Sequence, residues 1–381
     1  MQEIYLDHAA TTPVHPEVLR TMLPYYQDMH GNPSSMHRYG QRTRHVVDEA
    51  RSVIARCLNA EPGEIIFTSG GTEADNMALV GIMEANQSKG KHLITSQIEH
   101  HAVLHTCEHL ESLGYEVTYL PVDETGRVAV EDVERAIRPE TVLISIMFGN
   151  NEVGTLQHVG KMGKLAQEKG VYFHTDAVQA FGIEEIDVKR LHIDLLSVSA
   201  HKINGPKGIG ALYVRHGIKI APYLYGGNQE KKRRAGTENV PGIAGFARAA
   251  ELAMETRTER RDHYKMLRNI MLDVWNKQGV EYVINGHPEL YMPHVLNVSF
   301  PGIKTDAMLM HLDLAGIAAA SGSACTSGSL EISHVLRAMN LPDKRLESAI
   351  RFSFGYGNTE EQVREAAERI GHILMRDSVK R

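Results

Sequence analysis

The chain has 381 residues, of which 42% are hydrophobic and 23% charged, with a net charge of -6. That length exceeds what one core serves, so two domains are expected, and the mild acidity gives no support to a general nucleic-acid or membrane binder. Three widely spaced cysteines, Cys57, Cys107 and Cys325, argue against a disulfide framework or a CxxC metal site and for a reducing cytoplasm.

The start, MQEIYLDHAATTP, lacks the basic and apolar regions of a signal peptide. No apolar run approaches a bilayer span. Seven β-rich runs follow: EIIFT from Glu64, HLITS from His92, EVTYL from Glu116, TVLISIMF from Thr141, VYFHT from Val171, DLLSVSA from Asp194 and IGALYV from Ile209. Amphipathic stretches such as VGKMGKLAQEKG separate many of them, which predicts an α/β fold with a largely parallel sheet covered by helices. A long polar helix is expected around Arg248 to Lys277, and beyond it HVLNVSF, GIAAAS and IRFSFG read as strands of a smaller α+β unit. The helix TEEQVREAAERIGHILMRD closes that unit. The expected division is a large domain over 15–260 and a small one over 1–14 and 261–381. Near its middle, AASGSACTSGS sets Cys325 among small, flexible residues, a loop of about 321–331, where a thiol kept for packing would not sit.

Ligands of open α/β sheets bind beyond the carboxyl ends of the strands, and three such ends are polar. In FTSGGTEADN the chain turns through Gly70-Gly71 into a helix near Thr72, a cradle for phosphate that would also serve as a plain strand-to-helix connection. No Walker A or GxGxxG pattern is present, so neither an ATPase nor a dinucleotide enzyme is suggested. YFHTDAVQAFG sets Asp176 and Gln179 past a strand, where a carboxylate holds a cationic ring nitrogen or caps a helix equally well. SVSAHKINGPKGIG places Ser199, His201 and Lys202 at a third end; a desolvated lysine there becomes a nucleophile, although most lone lysines are solvated.

This order of phosphate turn, acid and lysine resembles fold-type I pyridoxal-phosphate enzymes. With YLDHAATTP, GNPSSMHRYG, IEHHAV, GNNEVGT, RRAGTENV and SGSACTSGS, the chain is similar nearly end to end to the cysteine desulfurases of the NifS/IscS family, in the branch with an extended cysteine loop. The resemblance implies a mostly parallel seven-stranded sheet, pyridoxal 5'-phosphate bound covalently at Lys202, Asp176 at its ring nitrogen and Gln179 at its ring hydroxyl. It further implies that Gly71, Thr72, Ser199 and His201 hold the phosphate, with Thr237 reaching the phosphate of a neighbouring subunit in a homodimer. His100 would stack on the ring and shuttle protons, Asn151 would lie near both the ring hydroxyl and the substrate carboxylate, Arg351 would clamp that carboxylate with help from Asn32, and Asn150 would order its turn. L-cysteine would become L-alanine, with Lys202 or His100 removing the α-proton and Cys325 taking the sulfur as a persulfide. His100 is the candidate for activating Cys325. A sulfur acceptor is implied, a tRNA 2-thiouridylase or an iron–sulfur scaffold, without sequence-specific contact to nucleic acid.

Other readings carry less weight. His105, Glu108 and His109 spell an inverted zinc-protease pattern, and His101, His105 and His109 share a helix face. A histidine-bearing helix face accounts for this, and no metal is expected. The basic run Glu230 to Arg234 reads as a solvated loop, with acceptor docking as the alternative. Cys57 and Cys107 read as packing residues. A plain aminotransferase would not need Cys325, a selenocysteine lyase stays open, and a non-catalytic scaffold would not need the combined set.

Overall fold

A computed structural model describes residues 3–322 and 332–378 of the 381; Cys325 lies outside the described residues. The strands are β1 (Ile4–Tyr5), β2 (Ile65–Thr68), β3 (His92–Ser96), β4 (Glu116–Leu120), β5 (Thr141–Ser145), β6 (Tyr172–Asp176), β7 (Leu195–Ser199) and β8 (Gly210–Val214). All seven expected strands form, and they make one sheet in the order β2-β8-β7-β6-β5-β3-β4. Only β8 runs against its neighbours.

Burial on both faces explains the continuous apolar runs, because β2, β3, β5, β7 and β8 are buried at every position. Along β2, Ile66 joins one core while Ile65 and Phe67 join another. The first eight helices are α1 (Pro16–Gln27), α2 (Arg38–Leu58), α3 (Gly71–Ala85), α4 (His101–Ser112), α5 (Val130–Ala136), α6 (Val159–Lys169), α7 (Val240–Glu255) and α8 (Arg257–Gln278). Helices α3 and α4 cover the Ile66 face, and α2, α6 and α7 supply the other. The single helix expected over 248–277 is two, joined at Thr256, whose hydroxyl bonds the Leu252 carbonyl at 2.7 Å.

The second half builds β9 (Val283–Asn285), β10 (Val295–Ser299), β11 (Ile317–Ala318) and β12 (Ala349–Ser353), with α9 (Thr305–Leu314), α10 (His334–Ala338), α11 (Asp343–Leu346) and α12 (Glu360–Ser378). An antiparallel sheet runs β12-β10-β9. GIAAAS adds no strand to it: only Ile317–Ala318 is strand, paired in parallel with β1, while Ala320 makes a single antiparallel bridge to Arg351 on β12. The core of this half is Trp275, Phe300, Ile350 and Phe352, and Ile4 and Leu6 pack into it from the amino-terminal segment. Val335, Leu336 and Ala349, late in the chain, instead pack with the first core.

Trp275 is the only tryptophan and is fully buried with its ring edge-on to Phe300 at 5.3 Å. Phe352→Ala should therefore destabilise this half by about 3–5 kcal/mol, seen as a lower urea midpoint in Trp275 fluorescence; an unchanged midpoint would contradict this packing.

Candidate active site

The three polar strand ends open into one cavity of about 340 Å³, whose wall includes Gly71, Thr72, Asp176, Gln179, Ser199 and His201. Lys202, His100, Asn151 and Arg351 line it as well. Every expected site residue is thus brought together except Asn32 and Thr237, which are exposed elsewhere, and Cys325, outside the described residues. The Asn32 side chain instead accepts the Ser34 amide at 2.8 Å.

At one end, α3 begins at Gly71, where a Cβ would fall 2.7 Å from Val178 Cγ2, so the helix start approaches the segment after β6 closely. Glu73 steadies this turn by accepting the Ser69 amide at 2.8 Å and the Arg234 Nε at 2.8 Å. Amides of a helix start favour an anion. Opposite them, His201 shares a 3.2 Å hydrogen bond with Thr11 Oγ1. Burial, then Lys202 and Lys207, lower the His201 pKa to about 4.

Lys202 ends a 3-10 turn following β7. Its Nζ donates to the carbonyls of Ala9 at 2.5 Å and Ala10 at 2.8 Å, so the segment YLDHAATTP lies across the lysine. Gln179 is held there too, donating to the Ala9 carbonyl at 2.8 Å.

The floor is acidic. Asp176, at the end of β6, accepts the Val178 amide at 2.9 Å. Asp75 reaches the same cavity from α3, fully buried, and its Oδ1 has no hydrogen-bond partner. Burial raises the pKa of both carboxyls. Beneath them, neutral His174 bonds Ser145 Oγ at 2.8 Å and Ser197 Oγ at 3.0 Å, its pKa lowered by burial to about 3. A cationic ring over this floor would return the acids to their charged forms. Anion cradle, strand-end lysine and acidic floor together fit pyridoxal 5'-phosphate.

His100 caps α4, its Nδ1 accepting the Ala102 amide at 3.1 Å. That bond assigns the proton of the neutral ring to Nε2. Burial and then Lys202 lower its pKa to about 4. His100 is thus arranged to donate a hydrogen bond from Nε2. Arg351, on β12, is already engaged: Nη1 donates to the Asn151 carbonyl at 3.0 Å and Nη2 to Asp7 at 2.8 Å, while Nε has no hydrogen-bond partner.

Asn150 orders its turn as expected, accepting the amides of Glu152 at 2.8 Å and Val153 at 3.0 Å. The basic run is less solvated than its charge suggests. Glu230 is buried in a two-point bond to Arg51, both contacts 2.7 Å, and Arg234 is taken by Glu73, leaving Lys231 and Lys232 exposed. His101 and His105 stack at 5.0 Å, and among the described residues no group of three or more such side chains is arranged for a metal. Sequence reading gave no role to Asp7, Ala9, Asp75, Glu99 or Glu152. All five lie within the motifs given for the resemblance or the strand ends, but only the fold shows what they touch.

A lysine- and carboxylate-lined cavity on such a sheet defines a class-V aminotransferase, and the model of that family matches residues 4–365. The cysteine desulfurase IscS of Methanosarcina thermophila is 50% identical over 373 residues, 98% of this chain and 92% of that one. A solved NifS-like protein superposes with a TM-score of 0.92 at 38% identity, covering 98% of this chain and all of that one. SspA, solved in complex with cysteine, gives 0.81 at 37% identity, with 93% and 99% covered. The chain belongs to the NifS/IscS cysteine desulfurases, pyridoxal-phosphate enzymes of the class-V aminotransferase family.

Behind the site, Glu99 is fully buried and accepts Ser96 Oγ at 2.5 Å and the Met147 amide at 3.1 Å. Burial lifts its pKa to about 8. The folded state therefore holds a proton that the unfolded state loses above the ordinary glutamate value of 4.5, and stability falls as pH rises between them, by at most roughly 1.4 kcal/mol per pH unit. Glu99→Gln removes this loss. Its stability relative to the parent should be greater at about pH 8 than at about pH 5 in urea unfolding, and an equal difference at both would refute the assignment.

Proposed function

We propose that this chain releases L-alanine from L-cysteine and keeps the sulfur on Cys325 as a persulfide. The observation that carries this is the position of Gly322, which lines the same cavity as Lys202 and Arg351 three residues before Cys325. Consecutive Cα atoms are about 3.8 Å apart, so the Cys325 Cα stays within roughly 11 Å of that wall in any conformation.

Lys202 would carry the cofactor, with Asp176 at its ring nitrogen, Gln179 at its hydroxyl and His100 against its face. Gly71, Thr72, Ser199 and His201 would hold its phosphate. Bound there, the cofactor draws electrons from the substrate's Cα and loosens the Cβ–Sγ bond. Arg351 and Asn151 orient the substrate carboxylate, where the guanidinium suits two-point binding. Lys202 Nζ takes the proton from Cα. The Cys325 thiolate forms a bond to the substrate sulfur as Cβ–Sγ breaks, the electron pair stays with Cβ, and protons returned to the carbons complete alanine.

A homodimer would complete the site. Support comes from Arg44, which bridges the Pro33 carbonyl beside Asn32 at 3.2 Å and Glu238 beside Thr237 at 2.8 Å, so both residues share one surface. Met36 and Tyr39 are exposed nearby in the chain. Asn32 and Thr237 would act on the partner's cavity. The division at residue 260 is supported by Ile4 and Leu6 in the Trp275 core. A cytoplasmic setting agrees with the free thiols of Cys57 and Cys107; no helix among the described residues is long and apolar enough to cross a membrane. The persulfide would pass to a tRNA 2-thiouridylase or an iron–sulfur scaffold, which labelled sulfur on Cys325 would distinguish.

Cys325→Ser should keep the cofactor's absorption yet form no persulfide and sustain no sulfide release; normal desulfuration would sink the proposal. Lys202→Ala should lose the absorption of covalently attached cofactor, and an unaltered spectrum would exclude the attachment.

A further inference from the structure

We propose that Glu152 is a positioning residue that fixes both ends of the segment bearing Cys325 at a single point beside the substrate carboxylate site. This rests on the reading of Cys325 as sulfur acceptor. Glu152 follows Asn151 directly and is 2% exposed. Its amide donates to Asn150 and its carbonyl accepts Asn297 Nδ2 at 3.1 Å, so the backbone beneath the carboxylate is held from two sides.

The chain meets this carboxylate twice. On the way out, Gly322 has φ +95°, and a Cβ there would lie 2.6 Å from Glu152 Oε2. Only glycine accepts both that conformation and that approach. On the way back, Ser333 Oγ donates to the same Oε2 at 2.5 Å. The Ser333 hydroxyl also accepts the amides of Val335 at 3.1 Å and Leu336 at 3.2 Å, so it couples Glu152 to the start of α10.

Both flanks are secured further. Ala320 exchanges two backbone bonds with Arg351, at 3.1 and 2.7 Å. His334 Nε2 bonds the Glu99 carbonyl at 2.9 Å, and its ring lies 4.8 Å from that of His101. Arg351 binds the Asn151 carbonyl, one residue from Glu152. The same few residues therefore orient the substrate carboxylate and set the base from which Cys325 extends. Glu152 thus restricts the region from which the attacking sulfur can reach the substrate, through the two flanks it holds.

The test uses the pyridoxal-phosphate-loaded enzyme and L-cysteine, with Glu152→Ala, Glu152→Gln, Gly322→Ala and Ser333→Ala. Misplacing a reacting group by about 1 Å lowers its rate on the order of 100-fold. Glu152→Ala and Gly322→Ala should keep the cofactor's absorption and the KM for cysteine, and lower single-turnover alanine formation about tenfold or more. Glu152→Gln, which keeps an oxygen acceptor of the same shape, should recover most of that loss, and Ser333→Ala should fall between. An unchanged alanine rate in Glu152→Ala, a raised KM with unchanged kcat, or loss of cofactor from all four variants would overturn the proposal. Failure of the underlying reading looks different: Cys325→Ser would then make alanine at the parent rate.

Discussion

The site depends on the buried guanidinium of Arg351 joining three distant parts of the chain. Its own strand is β12, Asp7 comes from the amino terminus, and the Asn151 carbonyl comes from the turn after β5. The Arg351 side chain is 3% exposed, so losing Asp7 would leave a charge without its partner, a change that costs about 3–5 kcal/mol. The same contacts register the second sheet against the cavity. If Arg351 binds the substrate as proposed, substrate binding and the alignment of the two halves would share one cation, and a substrate carboxylate would arrive where Asp7 already offsets part of that charge.

The charge layout of the cavity follows the same economy. Anion-seeking groups, the α3 amides and Lys202, lie toward one end, and Asp176 with Asp75 forms the floor. Burial makes both acids costly as carboxylates, and it keeps the neighbouring imidazoles of His100, His174 and His201 neutral. A ligand bringing a phosphate at one end and a protonated ring nitrogen at the other relieves both penalties at once. Neither charge alone would do so, which is why the proposed roles of the phosphate turn and Asp176 belong to one ligand.

What was legible in the sequence tracks how local the physical cause is. Five of the seven sheet strands could be read because burial on both faces writes itself as near-continuous apolar runs, and the edge strand β4 because of its β-branched and aromatic residues. β1 and β11 have two residues each, too few for any periodicity, and they exist because they pair with each other across the chain. Lys202, Asp176 and Gly71 could be read because strand ends of a parallel sheet converge on one side. Ala9 and Ala10 could not, since they act through carbonyls that every residue carries. Glu152 was hidden because its partners, Gly322 and Ser333, are remote in sequence and meet it only in the folded chain.

The acid–base assignments sharpen for a similar reason. In sequence, His100 and Lys202 are interchangeable as proton acceptors. In the structure the α4 cap occupies His100 Nδ1, and a neutral imidazole with that nitrogen accepting must carry its proton on Nε2. Taking a proton at Nε2 would make an imidazolium in a buried site beside Lys202, which burial and charge both oppose. Lys202 Nζ donates to two main-chain carbonyls at the same cavity wall. On the proposed reading, proton removal would fall to Lys202, with His100 left to steady the ring and donate.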